Sequence, residues 1–564
     1  MKSYFSFIIC LLLIARLGIA NPPSQQLIEQ KLDSLVGSKL QPAQPGGVLG
    51  LIYQGEPVFS KSYGMADIQN EVTNSMDIPF NLASVSKNFT AFAILLLEKQ
   101  GKIDLDDPIH KYLPELPDYG HVLTIRHLVS HTNGLAPTDN LRLFAGRSLE
   151  ASWSQQDELE MIFRYPTLNF VPGEQYSYSN AGYSLLAAII EKASGMSYSE
   201  YLKEMIFDPL NMNNTYVYDR PNKPIPGKAK GYKKEEEDFV PVASPGESTY
   251  GSTNIYTTAN DMIRWGNNYF QPEVGDAEML QKIFTPAFTT NDGDTINYTY
   301  GMMISEYKGM QLVSHSGGDI GYRTQFLVFP EHQVVVFAMF NTEIINTRSL
   351  VNAMADWYLE DFQVITPAPE RIAREADPLL LKKYEGTYRM DDGMELSFAL
   401  EQDTFWLMIP EAPKFELFSE KPNHFFLKAF EAQVTFIEDE QGEVNEIIWH
   451  QGGTGYPAAR ATEVVMPDQD ELIRIAGIYY HETLDVEYPI EYVDGQLVLT
   501  TPPTFKEYLN LDKVVLVPMG DDRFLSKDSP LGVLEFFRSS DNEFTGFQFK
   551  DVGRLKNIAF IKTR

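Results

Sequence analysis

A chain of 564 residues with 43% hydrophobic and 12% aromatic content is globular and long enough for roughly two to four domains. Its 77 acidic against 46 basic side chains leave a net charge of −31, which repels nucleic acid and anionic membrane surfaces. The only cysteine is Cys10, so no disulfide and no cysteine-ligated metal is expected, and packing alone must hold the fold.

Residues 1–20 carry Lys2, an apolar segment from Tyr4 to Ile14, and small residues at Gly18 and Ala20. This reads as a secretory signal peptide, too short to span a bilayer stably with its flanks, and Cys10 sits too early in it for lipoprotein attachment. No later segment is apolar enough for a membrane helix, so the expected location is periplasmic or secreted, with no stable membrane span. From Gly46 to Tyr63, "GGVLGLIY" and "PVFSKSY" flank Gln54-Gly55-Glu56 and predict a hairpin. A helix is predicted over 88–100, closed by Gly101, and another over 181–193, with Gly195 past its end. Ser197 with Glu200, and Thr258 with Asp261, have the spacing of capping boxes. Between 311 and 341 the runs "LVSHSGG", "RTQFLVFP" and "QVVVFAMFN" predict strands, the last two joined by a turn at Pro330-Glu331-His332. Helices therefore lie between an N-terminal hairpin and later strands. The expected class is α+β, one antiparallel sheet covered by helices.

The stretch "VITPAPERIAREADP" (364–378) reads as a linker, after which short aromatic and β-branched runs dominate. One phrase occurs twice there, "LKKYEGTY" from Leu381 and "LIRIAGIY" from Leu472, each leading into aromatic strands. Two all-β units, each a small sandwich or barrel, are expected on either side of Met466-Pro467-Asp468.

A serine hydroxyl is a poor nucleophile at neutral pH and needs a neighbouring base, with donors for the oxyanion that it creates. Ser84 and Lys87, three apart on a helix, share a face, and burial against "FTAFAILLL" lowers the amine toward a useful base. Tyr178-Ser179-Asn180 stands directly before a helix; the tyrosine is a candidate proton carrier, and Asn180 is either a helix cap or an amide for substrate and lysine. His315-Ser316-Gly317-Gly318 lies on a strand whose paired glycines allow close backbone approach and an edge N–H as oxyanion donor. Each pattern alone has a bland explanation: a polar helix entrance, a cap, a glycine-rich strand end. Their joint occurrence in this order is far rarer.

With these three elements the chain resembles, over about residues 27–360, the serine β-lactamases and penicillin-binding proteins. The tyrosine in the second element makes it most similar to the class C and esterase branch, and "GMADIQN", "LTIRHLVSHTNGL" and "HSGGDIGYRTQFLVFP" support the likeness. The resemblance implies an antiparallel sheet with helices on both sides. It also implies Ser84 as acylated nucleophile, Lys87 as its base partner and Tyr178 as proton shuttle. Asn180, His315, Ser316 and Gly317 would then bind substrate, with the N–H groups of Ser84 and Gly318 as the oxyanion hole. No cofactor or metal is implied. The expected division is a signal at 1–20, the hydrolase domain at 21–363, linkers at 364–378 and 463–470, and lipocalin-like barrels at 379–462 and 471–564.

The third element of that family usually begins with lysine, which attracts a substrate carboxylate, whereas His315 is mostly neutral near pH 7. Weak carboxylate recognition and poor β-lactam turnover follow. Histidine there is similar to D-aminopeptidases, which also have a catalytic domain followed by two barrels, with a loop of the last barrel entering the active site. The expected activity is therefore that of an exported D-aminopeptidase or D-Ala-peptidase on small amides or short peptides, then carboxylesterase or weak β-lactamase. A non-catalytic ligand-binding protein is the reading from another class. Four residues apart, His127 and His131 imitate a metal pair but lack a third ligand and read as structural. Asn88-Phe89-Thr90 reads as a chance glycosylation match, "KKEEEDF" (233–239) as an exposed loop near the cleft, and Trp449-His450 as barrel core rather than ligand lining.

Overall fold

Seven strands run antiparallel in the central sheet: β1 (Gly47–Tyr53), β2 (Glu56–Tyr63), β3 (Tyr298–Thr299), β4 (Met302–Tyr307), β5 (Met310–Asp319), β6 (Tyr322–Phe329) and β7 (Val334–Phe340), in the order β3-β4-β5-β6-β7-β1-β2. The computed structural model describes residues 25–149, 151–242, 247–364, 371–390, 393–410, 412–452, 454–461 and 466–564. The predicted signal segment 1–20 lies outside them, as do 365–370 and 463–465 of the predicted linkers.

The two ends of the catalytic unit meet where β1 pairs with β7, from Gly47 opposite Phe340 to Tyr53 opposite Val334. Strand β7, "VVVFAMF", is buried at every position, as a strand covered on both faces requires. Its alternation assigns the faces. Val335, Phe337 and Met339 join the core cluster that contains helices α2 (Lys87–Lys99) and α4 (Asn180–Ser194), whereas Val334, Val336, Ala338 and Phe340 join the one that contains α1 (Gln25–Gly37) and α5 (Thr347–Tyr358). Helices thus cover both sides, as expected. Helix α2 is buried continuously from Lys87 to Leu97, with Phe89 stacked on Trp265 at 4.3 Å, so it forms the axis of the larger core. That burial includes Asn88, 2% exposed, which has no room for a glycan. Among the described residues, no helix is long and apolar enough to cross a membrane.

The predicted caps hold with one change. Ser197 and Glu200 form a full box. Thr258 accepts the Asp261 N–H, but the Asp261 carboxylate turns away to Asn214 N, Thr215 and Arg264, so only half of that box forms. "KKEEEDF" is a short β-hairpin, Tyr232–Glu235 with Asp238–Pro241, rather than an irregular loop.

Each C-terminal unit is a closed eight-stranded antiparallel barrel, over Gly386–Arg460 and Gly477–Lys562. The repeated phrase is a short helix followed by the first strand, and its last tyrosine makes the same latch twice. Tyr388 Oη donates to the Tyr384 carbonyl at 3.3 Å and Tyr479 Oη to the Ile475 carbonyl at 2.5 Å. Rings fill both interiors: Tyr384, Phe398, Phe405, Phe425 and Phe436 in the first, Phe536, Phe547, Phe549 and Phe560 in the second. Trp449 belongs to that packing, and His450 is tied to Thr435 at 2.9 Å.

The second barrel docks on the catalytic unit. Helix α3 (Thr138–Phe144) inserts Phe144 among Tyr488, Phe505 and Phe549, with ring centroids 5.2–6.2 Å apart. Tyr488 Oη donates to the Phe144 carbonyl, and Thr504 Oγ1 to that of Leu143.

Candidate active site

Ser84 lies in a 3₁₀ turn, Ala83–Ser86, that runs directly into α2. Ala83 holds φ +47°, costly for a residue with a Cβ, and its N–H donates to Asn81 Oδ1 at 2.8 Å. The Lys87 side chain is fully buried. Its Nζ lies 3.3 Å from Ser84 Oγ, 2.9 Å from Asn180 Oδ1 and 2.7 Å from the Ser252 carbonyl. Burial holds the amine well below its ordinary 10.5, the positive charge of Arg554 adds to that, and Asp139 opposes it.

Tyr178 is brought to the same point from the loop before α4. Its hydroxyl is hydrogen-bonded with Ser84, its ring lies 4.8 Å from Lys87 Nζ, and burial pushes the phenol above its ordinary value. The cap of α4 is Ser179, whose hydroxyl takes the Gly182 N–H at 3.1 Å. Asn180 is thereby released from capping. It accepts from Lys87 and donates through Nδ2 to Asp139 at 3.3 Å. His131 holds this segment: its Nδ1 accepts the Ser179 N–H at 3.0 Å, and its ring packs on Tyr178, Tyr183 and Tyr298. His127 closes the N-cap of its own helix with Thr124. The two histidines do not converge, and among the described residues no His, Cys, Asp or Glu cluster has the spacing of a metal site.

On β5, pairing with β4 ends at Ser314, so His315 to Asp319 have a strand neighbour, β6, on one side only. The other side faces the Ser84 turn. A Cβ on Gly317 would lie 2.3 Å from the Leu82 carbonyl oxygen and 3.2 Å from Ala83 Cβ, so only glycine permits this approach. Gly318 has open space, with nothing nearer than Arg323 at 3.8 Å, and Ser316 is exposed beside it. His315 is turned inward. Its Nε2 lies 3.0 Å from Tyr298 Oη and its Nδ1 2.6 Å from the Ser316 carbonyl. Burial, then the Lys87 charge, pulls its pKa down to about 3, so the ring is neutral at pH 7.

One contributor lies far outside the three sequence elements. Strands β8 (Phe544–Val552) and β9 (Leu555–Lys562) of the second barrel are joined by Gly553-Arg554, with Gly553 at φ +63° as a two-residue hairpin turn requires. The turn reaches the site, where Arg554 Nη1 donates to the Tyr178 carbonyl at 2.8 Å and its guanidinium lies 5.6 Å from the Tyr178 ring. Asn169 clamps the turn through Nδ2 to the Arg554 carbonyl and Oδ1 from the Lys556 N–H. The glycine followed by a cation between two strand runs, in "FKDVGRLKNIAF", is the signal from which a hairpin tip was readable.

The sequence profile of the family described as "Beta-lactamase" matches residues 25–361, and that of "Domain of unknown function (DUF3471)" matches 370–466. Penicillin-binding protein 4* of Bacillus subtilis is 31% identical over 416 residues, 71% of this chain and 91% of that protein. A D-aminopeptidase of Gluconobacter oxydans is 25% identical over 463 residues, 80% of this chain and 82% of that one. Among solved structures, the octameric penicillin-binding protein homologue of Pyrococcus abyssi shares the fold, with a TM-score of 0.52 at 23% identity over 77% of this chain and all of that one. A family match over more than half of the chain settles its membership: this protein is a serine hydrolase of the β-lactamase and penicillin-binding-protein family.

Proposed function

We propose that Ser84 is the acyl-accepting nucleophile of an amidohydrolase acting on small D-amino-acid amides or short peptides. The observation that carries this reading is the triple contact of Lys87. Two of its contacts, Asn180 Oδ1 and the Ser252 carbonyl, accept N–H bonds, so that once deprotonated the amine has its lone pair free for the Ser84 hydroxyl at 3.3 Å. The Ser84 proton passes to Lys87 or Tyr178 as the oxygen attacks the substrate carbonyl. The N–H groups of Ser84 and Gly318 take the oxyanion, and Tyr178 returns the proton to the leaving amine. Water, deprotonated by the same pair, then releases the acid and restores the serine.

The similarity to D-aminopeptidase, and a neutral His315 where penicillin-recognising relatives usually place lysine, support amides and peptides over β-lactams. Esters are the next substrates, since the same steps cleave a better leaving group. The signal-like residues 1–20 support an exported site of action. A retired binding site has no use for a buried amine held against a serine, which disfavours the binding-protein alternative.

The test is Ser84→Ala. It should lower turnover of D-alanine p-nitroanilide by at least ~10³-fold and abolish fluorophosphonate labelling. Persistence of both in the variant would remove Ser84 as nucleophile.

A further inference from the structure

The guanidinium of Arg554 is half-buried at the site and spends one of its five N–H groups, on the Tyr178 carbonyl. Among the described residues, no carboxylate lies within ion-pair distance of it, in a chain with 77 acids against 46 bases. The Asp139 carboxylate accepts from Asn180 Nδ2 instead. A partly desolvated cation without a counter-ion is costly, and the cost is recovered when a ligand brings the anion. The His315 ring, neutral at pH 7, offers a carboxylate no positive charge on the strand end beside Ser84. The turn is also rigidly placed. Asn169 holds the backbone on both sides of Arg554, and Phe144 seats the barrel that carries it.

We propose that Arg554 is a carboxylate receptor: the substrate is a short peptide or acyl compound with a free carboxylate, which is held by a guanidinium that the second barrel lends to the catalytic domain. Arg554 is a specificity residue, and its fork geometry suits a carboxylate better than a lysine would. This inference rests on acyl transfer at Ser84.

The experiment compares kcat/KM within two matched pairs, D-alanyl-D-alanine against its carboxamide and mono-p-nitrophenyl glutarate against p-nitrophenyl butyrate, for the parent, Arg554→Ala and Arg554→Lys. Because each protein is read as a ratio, any general loss from disturbing Tyr178 cancels. The parent should favour the carboxylate form by roughly 10- to 100-fold in at least one pair, a charge-assisted hydrogen bond's worth. Arg554→Ala should bring that ratio near one, and Arg554→Lys should keep part of it. A ratio near one in the parent for both pairs, or one undiminished in Arg554→Ala, overturns the receptor. Fluorophosphonate labelling separates the two readings: a labelled parent without carboxylate preference leaves the Ser84 mechanism standing, and an unlabelled parent removes both.

Discussion

Asn180 meets Lys87 at 2.9 Å because Ser179, one residue earlier, has taken over the capping of the helix. The two roles are therefore separable. Ser179→Ala should cost ~1 kcal/mol of stability in chemical denaturation. Asn180→Ala, which leaves the amine short of an acceptor, should lower kcat/KM by roughly 10- to 100-fold with little change in melting. Equal effects of both on melting and rate would show that the cap and the catalytic amide are one device.

Titration of the site separates lysine from histidine. Lys87 is held well below 10.5 and His315 at about 3, so an acid limb of kcat/KM lying well above pH 3 belongs to the lysine system. In His315→Asn the rate should fall, because Tyr298 loses its partner, but the midpoint of that limb should stay in place. A limb that moves or vanishes in this variant would assign it to His315.

Glu158 is buried against Thr138 and Trp153, and desolvation, then the Asp139 charge, raises its pKa from 4.5 to about 7. The fold favours the protonated form. Its contribution is full below pH 4.5 and is lost as the pH rises through about 7. Unfolding free energy should fall over that interval, and Glu158→Gln should flatten the fall. An unchanged slope in the variant would place the pH dependence elsewhere.

Gly317 and Gly318 are neighbours with opposite tolerance. Gly317→Ala forces a methyl against the Leu82 carbonyl and should displace the Ser84 turn, seen as lost fluorophosphonate labelling. Gly318→Ala meets only open space and should melt like the parent. Full labelling of Gly317→Ala would mean that the turn yields at no cost.

Much of this was legible in the sequence because it rests on short-range pattern. The β-branched and aromatic runs of β5 to β7 marked the strands, Gly101 and Gly195 marked helix ends, and the doubled "GTY" and "GIY" phrases marked the barrels. Ser84, Lys87, Tyr178, Asn180 and the His315–Gly318 strand end were likewise readable as a set, and the chain brings them together. The choice between Ser179 and Asn180 as cap was not legible, since both residue types cap and only packing against His131 decides. Nor was the role of Arg554: a lone arginine in a hairpin turn has no periodicity, and its meaning comes from a domain contact made 376 residues from Tyr178. The same holds for Phe144, an ordinary helix residue until a barrel closes over it.

The seam around Phe144 also contains Trp153, whose indole donates to Glu158 and stacks under the Arg142 guanidinium at 4.4 Å. The other four tryptophans lie elsewhere, and the second barrel has none. The protein thus carries a built-in optical gauge: a red shift confined to Trp153 emission would register the barrel lifting off while every other indole stayed dark to the event.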